Sequence, residues 1–218
     1  MRSRTVARPR IRARYLAVAG PVAVFVFVIG TFAATLSWPE YDHRVQPLSD
    51  LGGIAAPAPV IQNLTFFMFG AAVVVFGAGL SAARLGGLVA AMAAGFGVAM
   101  ASLSVLPCSP GCAPATATDA AHALAAVLGF VAVAGAMLLL GRRDTVGSAW
   151  FGRASAVTGA VTLALLVVWL VAGEVDPVGW RAGLLQRGMV GTVLVWLGAV
   201  GCKLNRPPRQ PLMGDGTR

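Results

Sequence analysis

Apolar residues dominate this chain, and polar ones are gathered into short interruptions. The runs 15–38, 64–83, 85–106, 120–141, 154–173 and 184–204 are each long and apolar enough to predict a membrane-spanning helix. A helix rises about 1.5 Å per residue, so about 20 residues cross the hydrocarbon core. The pattern predicts an all-α, polytopic bundle of six transmembrane helices, with Pro21 kinking the first span slightly.

The longest interruption follows the first span and includes Tyr41-Asp42-His43-Arg44-Val45-Gln46-Pro47-Leu48-Ser49-Asp50-Leu51-Gly52-Gly53. Ala56-Pro57-Ala58-Pro59 behind it cannot be a regular helix interior. A tight turn at Arg84-Leu85-Gly86-Gly87 joins spans two and three. Pro107 to Pro114 form a turn-rich loop, after which Thr118 and Asp119 signal a helix start. Arg142-Arg143-Asp144 closes span four, and Glu174, Asp176, Trp180 and Arg181 mark the last loop. Gly87, Ala91, Gly95 and Ala99 recur every four residues in span three and predict a helix-packing stripe.

Composition supports the membrane reading. The chain is 57% hydrophobic and 11% charged, too few charges to coat a soluble globule of this size. The net charge of +9 does not point to nucleic acid, because the basic residues sit at the ends of apolar runs. Three regions are expected: a basic cytoplasmic tail over 1–14, the six-helix domain over 15–204, and a disordered cytoplasmic tail over 205–218. A basic start before an apolar run could also be a cleaved secretory signal, but this run is longer than such a core.

With the N-terminus inside, fourteen of the seventeen basic residues fall on the inner side, leaving Arg44, Arg181 and Arg187 outside. This positive-inside bias predicts the cell membrane with both termini cytoplasmic. Both histidines, His43 and His122, and most of the acids fall on the outer side.

Candidate chemistry concentrates there. Cys108 and Cys112 flank Pro110-Gly111, whose reversal favours a disulfide over a metal site that would have two thiolates and no near third ligand. Cys202 is expected to be a free, buried thiol. Asp119 and His122 share one helix face, so the carboxylate could orient the imidazole or simply cap the helix. Arg187 lies inside an apolar span and calls for a partner among Asp50, Asp119, Glu174 and Asp176, or for snorkelling to the interface. Ser49 and Asp50 belong to a turn, and Gln62 and Asn63 add amides at the same level.

These residues carry a family resemblance. Gln46-Pro47-Leu48-Ser49-Asp50-Leu51-Gly52, Asn63, the His122-to-Phe130 start of span four and Leu185-Gln186-Arg187 occur in that order. Together they resemble the prokaryotic membrane family called domain of unknown function 998. The resemblance implies six helices and points to Ser49, Asp50, Asn63, His122 and Arg187, and it supplies no activity.

The reading favoured by the residues is a membrane protein whose outer polar pocket, formed by Ser49, Asp50, Asn63, Asp119, His122 and Arg187, binds a lipid headgroup or small solute. An alternative is a membrane-embedded, metal-dependent lipid hydrolase, and a second is a small transporter. No metal is expected; if one were held, His43, Asp119 and His122 would be its ligands. No cofactor is implied, membrane lipids are the expected partners, and small-residue faces offer a route to a homo-oligomer.

Overall fold

The computed structural model describes residues 7–112, 115–142, 149–175 and 182–206, the side chains of 7–10 and 172–175 aside. Among them are seven α-helices and no strand: α1 (Ala7–Ala17), α2 (Ala19–Leu36), α3 (Pro59–Ala82), α4 (Gly87–Ser102), α5 (Ala117–Gly141), α6 (Ala149–Val175) and α7 (Ala182–Asn205). They supply six segments long and apolar enough to cross a membrane, the first running from Ile11 to Leu36 through α1 and α2. This is a multi-pass membrane protein.

Local chemistry sets the boundaries. Proline at position 21 lacks an N–H, and its ring opposes the carbonyl four residues back, that of Ala17. The hydrogen-bond ladder is interrupted there, at Val18, while its backbone stays helical at φ −59° and ψ −26°, so the span continues through the proline. Pro59 stands in the first turn of α3, where its missing N–H costs nothing, so the helix starts ahead of the predicted span. α5 also starts earlier than predicted, because Thr116 caps it. Helix begins at Ala7, inside the segment expected to be a basic tail. Arg84, at φ 59°, and Gly86, at φ 114°, turn the chain between α3 and α4.

Each span packs on the next in sequence, and α7 returns to α2, closing a ring. Lipid tails are as apolar as leucine, so close packing and internal hydrogen bonds must hold such a ring together. Aromatic rings run through it: Phe27 lies 5.0 Å from Phe69, Phe69 5.9 Å from Phe96, and Phe96 5.6 Å from Phe130, centroid to centroid. On the other side, the Trp196 indole N–H donates to Ser155 Oγ at 2.8 Å, and that hydroxyl donates to the Met137 carbonyl at 3.0 Å. This chain of bonds ties α7, α6 and α5 within the core.

The small-residue stripe does not act as expected within one chain. Gly87, Ala91 and Gly95 are exposed, and nothing lies within 4 Å of a Cβ built at either glycine. The adjacent face of α4 makes the close contact instead. A Cβ at Gly97 would stand 2.6 Å from the Gly70 carbonyl oxygen. Cys202, expected to be buried, is free and exposed.

The two ends of the bundle differ. Arg14 donates from Nε and Nη2 to the Asn205 carbonyl at 3.2 and 3.0 Å, clasping the first span to the last. Lys203 lies 4.0 Å from the centroid of the Phe151 ring. The opposite end carries the 37–58 connection and the Pro110–Cys112 turn.

Candidate functional site

The 37–58 connection folds over its end of the bundle. Its middle, Leu48–Gly52, is a 3-10 turn whose five residues are all buried. The turn separates two polar clusters.

The first surrounds Arg187, which the helix geometry of α7 aims at the connection. Its Nη1 donates to the carbonyls of Gln46 at 3.0 Å and Gly183 at 2.9 Å. Its Nη2 donates to the Tyr41 hydroxyl at 2.7 Å and lies 3.3 Å from His43 Nδ1. The Tyr41 ring also sits under the guanidinium, 5.4 Å from centroid to Cζ. Tyr41 in turn donates to the Pro47 carbonyl at 2.8 Å. Burial pushes its phenol up to about 12, with the Arg187 charge pulling the other way, so the hydroxyl stays protonated. The expected pairing with Asp50 or Asp119 does not occur: among the described residues Arg187 meets carbonyls, a phenol and an imidazole, and no carboxylate. Asp176 lies outside the described residues, as does the side chain of Glu174.

The second cluster faces α3, α5 and the Cys108–Cys112 loop. Asp50 is 4% exposed, and its Oδ1 accepts from the Gly111 N–H at 3.0 Å. Burial raises its carboxyl to about 6, and the Gly111 bond lowers it only in part. Glycine at 53 permits a close approach here, since a Cβ would stand 2.7 Å from the Cys108 carbonyl oxygen. Cys108 and Cys112 stand at disulfide distance, with Cα atoms 5.0 Å apart. The His122 Nδ1 lies 2.6 Å from the Leu106 carbonyl, while Nε2 is buried and has no hydrogen-bond partner.

Asp119 is a capping residue. Its carboxylate accepts from Ser109 N–H at 2.7 Å, Ser109 Oγ at 3.0 Å, Ala115 N–H at 3.2 Å and both Thr116 donors at 2.8 Å. Thr116 Oγ1 accepts from the Asp119 N–H in return, which completes a capping box at the start of α5. With its lone pairs so engaged, Asp119 does not orient His122. Nor do His43, Asp119 and His122 form the metal set named from the sequence. Among the described residues, the one group of three potential ligands close together is Cys108, Cys112 and His122.

Residues 21–203 match the family described as protein of unknown function DUF998. The chain belongs to this family. No curated protein matches it, and no solved structure does. In this DUF998 protein the six residues named from the sequence share one end of the bundle but not one pocket. Arg187 stands in the first cluster. Asp50, Asp119 and His122 stand in the second. Ser49 lies between them, 3.4 Å from Gln186 Nε2, and Asn63 Oδ1 abuts Gly52.

Sequence reasoning passed over two further residues. Tyr41 gives Arg187 its shortest bond, and Gln186 Oε1 accepts from the Leu48 N–H at 2.5 Å, pinning the 3-10 turn to α7. The available signal was position: a glutamine beside an intramembrane arginine, and a tyrosine at the head of the polar stretch.

A groove opens beside the first cluster, along the seam between α2 and α7. It holds about 290 Å³, with Phe27, Val28 and Phe32 on one wall, Val190 and Leu194 on the other, and Arg187 and His43 at one end. Thr31 lines it, and its buried hydroxyl has no hydrogen-bond partner.

Proposed function

We propose that this DUF998 protein binds an anionic lipid, its phosphate at Arg187 and His43 and an acyl chain in the groove between α2 and α7. The observation that carries the reading is a half-buried guanidinium, without a carboxylate partner among the described residues, at the polar end of a mostly apolar groove. The partners of Arg187 among the described residues carry no negative charge, so its own charge is solvated but not neutralised, and an anion at the groove end would supply the opposite charge. A guanidinium is also a preferred partner for phosphate oxygens. The unpartnered Thr31 hydroxyl offers a donor to a glycerol or ester oxygen of the same lipid.

The site is read as outward-facing. Arg12, Arg14, Arg84, Arg142, Arg153, Lys203 and Arg206 belong to the end opposite the groove mouth, and a basic end faces the cytoplasm. The transporter reading calls for a span broken at mid-membrane. The interruption at Val18 keeps helical backbone angles and lies toward one end of its span.

The test is lipid exchange in nanodiscs containing phosphatidylglycerol or phosphatidylcholine, with retained lipid measured by native mass spectrometry. Wild type should retain phosphatidylglycerol at least about tenfold better, as expected for one desolvated charge pair. Arg187→Gln should remove the preference. Equal retention of both lipids by the wild type would sink the proposal.

A further inference from the structure

The second cluster supplies a different chemistry. We propose that, once its disulfide is reduced, the Cys108–Cys112 loop binds a zinc-class divalent cation together with His122 and Asp50.

The sulfurs of Cys108 and Cys112 and an imidazole nitrogen of His122 all lie within 4.8 Å of one another. Asp50 Oδ1 stands 3.4 Å from the Cys112 sulfur, adding a fourth donor from another segment. Two thiolates, one imidazole and one carboxylate are a tetrahedral zinc-type set. Zn–S bonds of about 2.3 Å and Zn–N bonds of about 2.0 Å put the donors of such a site about 3.5 Å apart. To reach that spacing the two sulfurs separate once their bond is reduced, and the imidazole and the Asp50 carboxylate close on them; Asp50 meets Cys112 but lies outside the three donors that are mutually within 4.8 Å.

His122 shows a second mark of a ligand. A metal-bound histidine usually gives its other ring N–H to a backbone carbonyl, which fixes the tautomer. Leu106 accepts from Nδ1 in this way. Nε2 is then the nitrogen with a lone pair, and it is buried and unpartnered in a residue 5% exposed. An orphaned buried acceptor costs free energy unless something binds it. Cys108, at 1% exposed, and Asp50, at 4%, are also withdrawn from solvent, so water would compete poorly for the cation.

Disulfide and cation are alternative states of one pair of sulfurs. A dithiol reductant donates two electrons and two protons, becoming a disulfide itself, and leaves Cys108 and Cys112 as thiols. Binding the cation then releases the two thiol protons to water.

The test uses the full-length protein in detergent, either oxidised or reduced and then freed of reductant without air. Cobalt(II) is the probe, because tetrahedral thiolate coordination gives it visible d–d bands and a near-ultraviolet charge-transfer band. Reduced wild type should bind one cobalt per chain with both signatures, and zinc should displace it. Oxidised wild type should bind none, which controls for folding without any substitution. His122→Gln and Asp50→Asn should each weaken binding by roughly tenfold or more. The proposal is overturned if reduced wild type with two titratable loop thiols shows no charge-transfer band. It is equally overturned if the band persists in a Cys108→Ser/Cys112→Ser variant.

Discussion

Arg187 donates to the hydroxyl of Tyr41 at 2.7 Å and lies over the same ring. One tyrosine thus solvates an intramembrane cation twice, through its oxygen and its π face. Arg187→Leu should cost about 2–3 kcal/mol, the worth of charge-assisted hydrogen bonds to neutral acceptors. Because Asp50 is not among the groups that Arg187 meets, Arg187→Leu and Asp50→Asn should add within about 0.5 kcal/mol. Unfolding of the two single variants and the double variant in mixed micelles checks this. Partial rescue in the double variant would mean an ion pair.

Asp50 should make stability depend on acid pH. Its carboxyl is raised from 3.8 to about 6 by burial, so the folded state holds its proton more tightly than the unfolded state. Stability should therefore fall as pH rises from about 4 to about 6, by roughly 2–3 kcal/mol, and level off above. Melting temperature followed across that window is the measurement. Asp50→Asn should flatten the profile.

Asp119→Ala should loosen both the loop and the helix start. Thr116→Ala removes one cap, worth about 1 kcal/mol, whereas Asp119→Ala removes the acceptor for several donors and should cost more. Hydrogen exchange should speed up at the Ser109 and Thr116 amides in Asp119→Ala and stay unchanged along α7.

Two glycines of α4 should answer differently to substitution. Gly97→Val drives carbon into the Gly70 carbonyl and Val74 backbone, and backbone cannot yield cheaply. Folded yield on size exclusion should collapse. Gly95→Ala meets nothing within 4 Å and should leave the yield intact.

Orientation is open to labelling. In a variant without native cysteines, Ala55→Cys should react with an impermeant maleimide in intact cells, and Gly214→Cys should react only after lysis. The reverse pattern would place the groove mouth in the cytoplasm.

The bundle was legible because long apolar runs admit few folds in hydrocarbon. Span starts were less so: prolines at 57 and 59 argue against a helix interior, yet the first turn accepts one. Arg187 was recognised as a residue in need of partners, but matching charges alone points to acids and cannot see backbone carbonyls or a phenol. The stripe misled because a glycine- and alanine-rich helix carries small residues on several faces, and only packing selects one. His122 and the two cysteines are separated by a loop in sequence, so their proximity emerges only from the fold.

The ring of helices closes between α2 and α7, and that has a consequence for biosynthesis. The groove's two walls come from the first and the sixth of the described spans, so residues 37–181 come between them in synthesis. Until Ala182 and the residues after it have been inserted, Tyr41 has no guanidinium above it and the face of α2 that meets α7 has only lipid against it. A nascent chain cut short after α6 would hold five of the six described spans and still lack any version of the groove. Loss of α7 should be as damaging to the groove as loss of α2, because each helix supplies one wall.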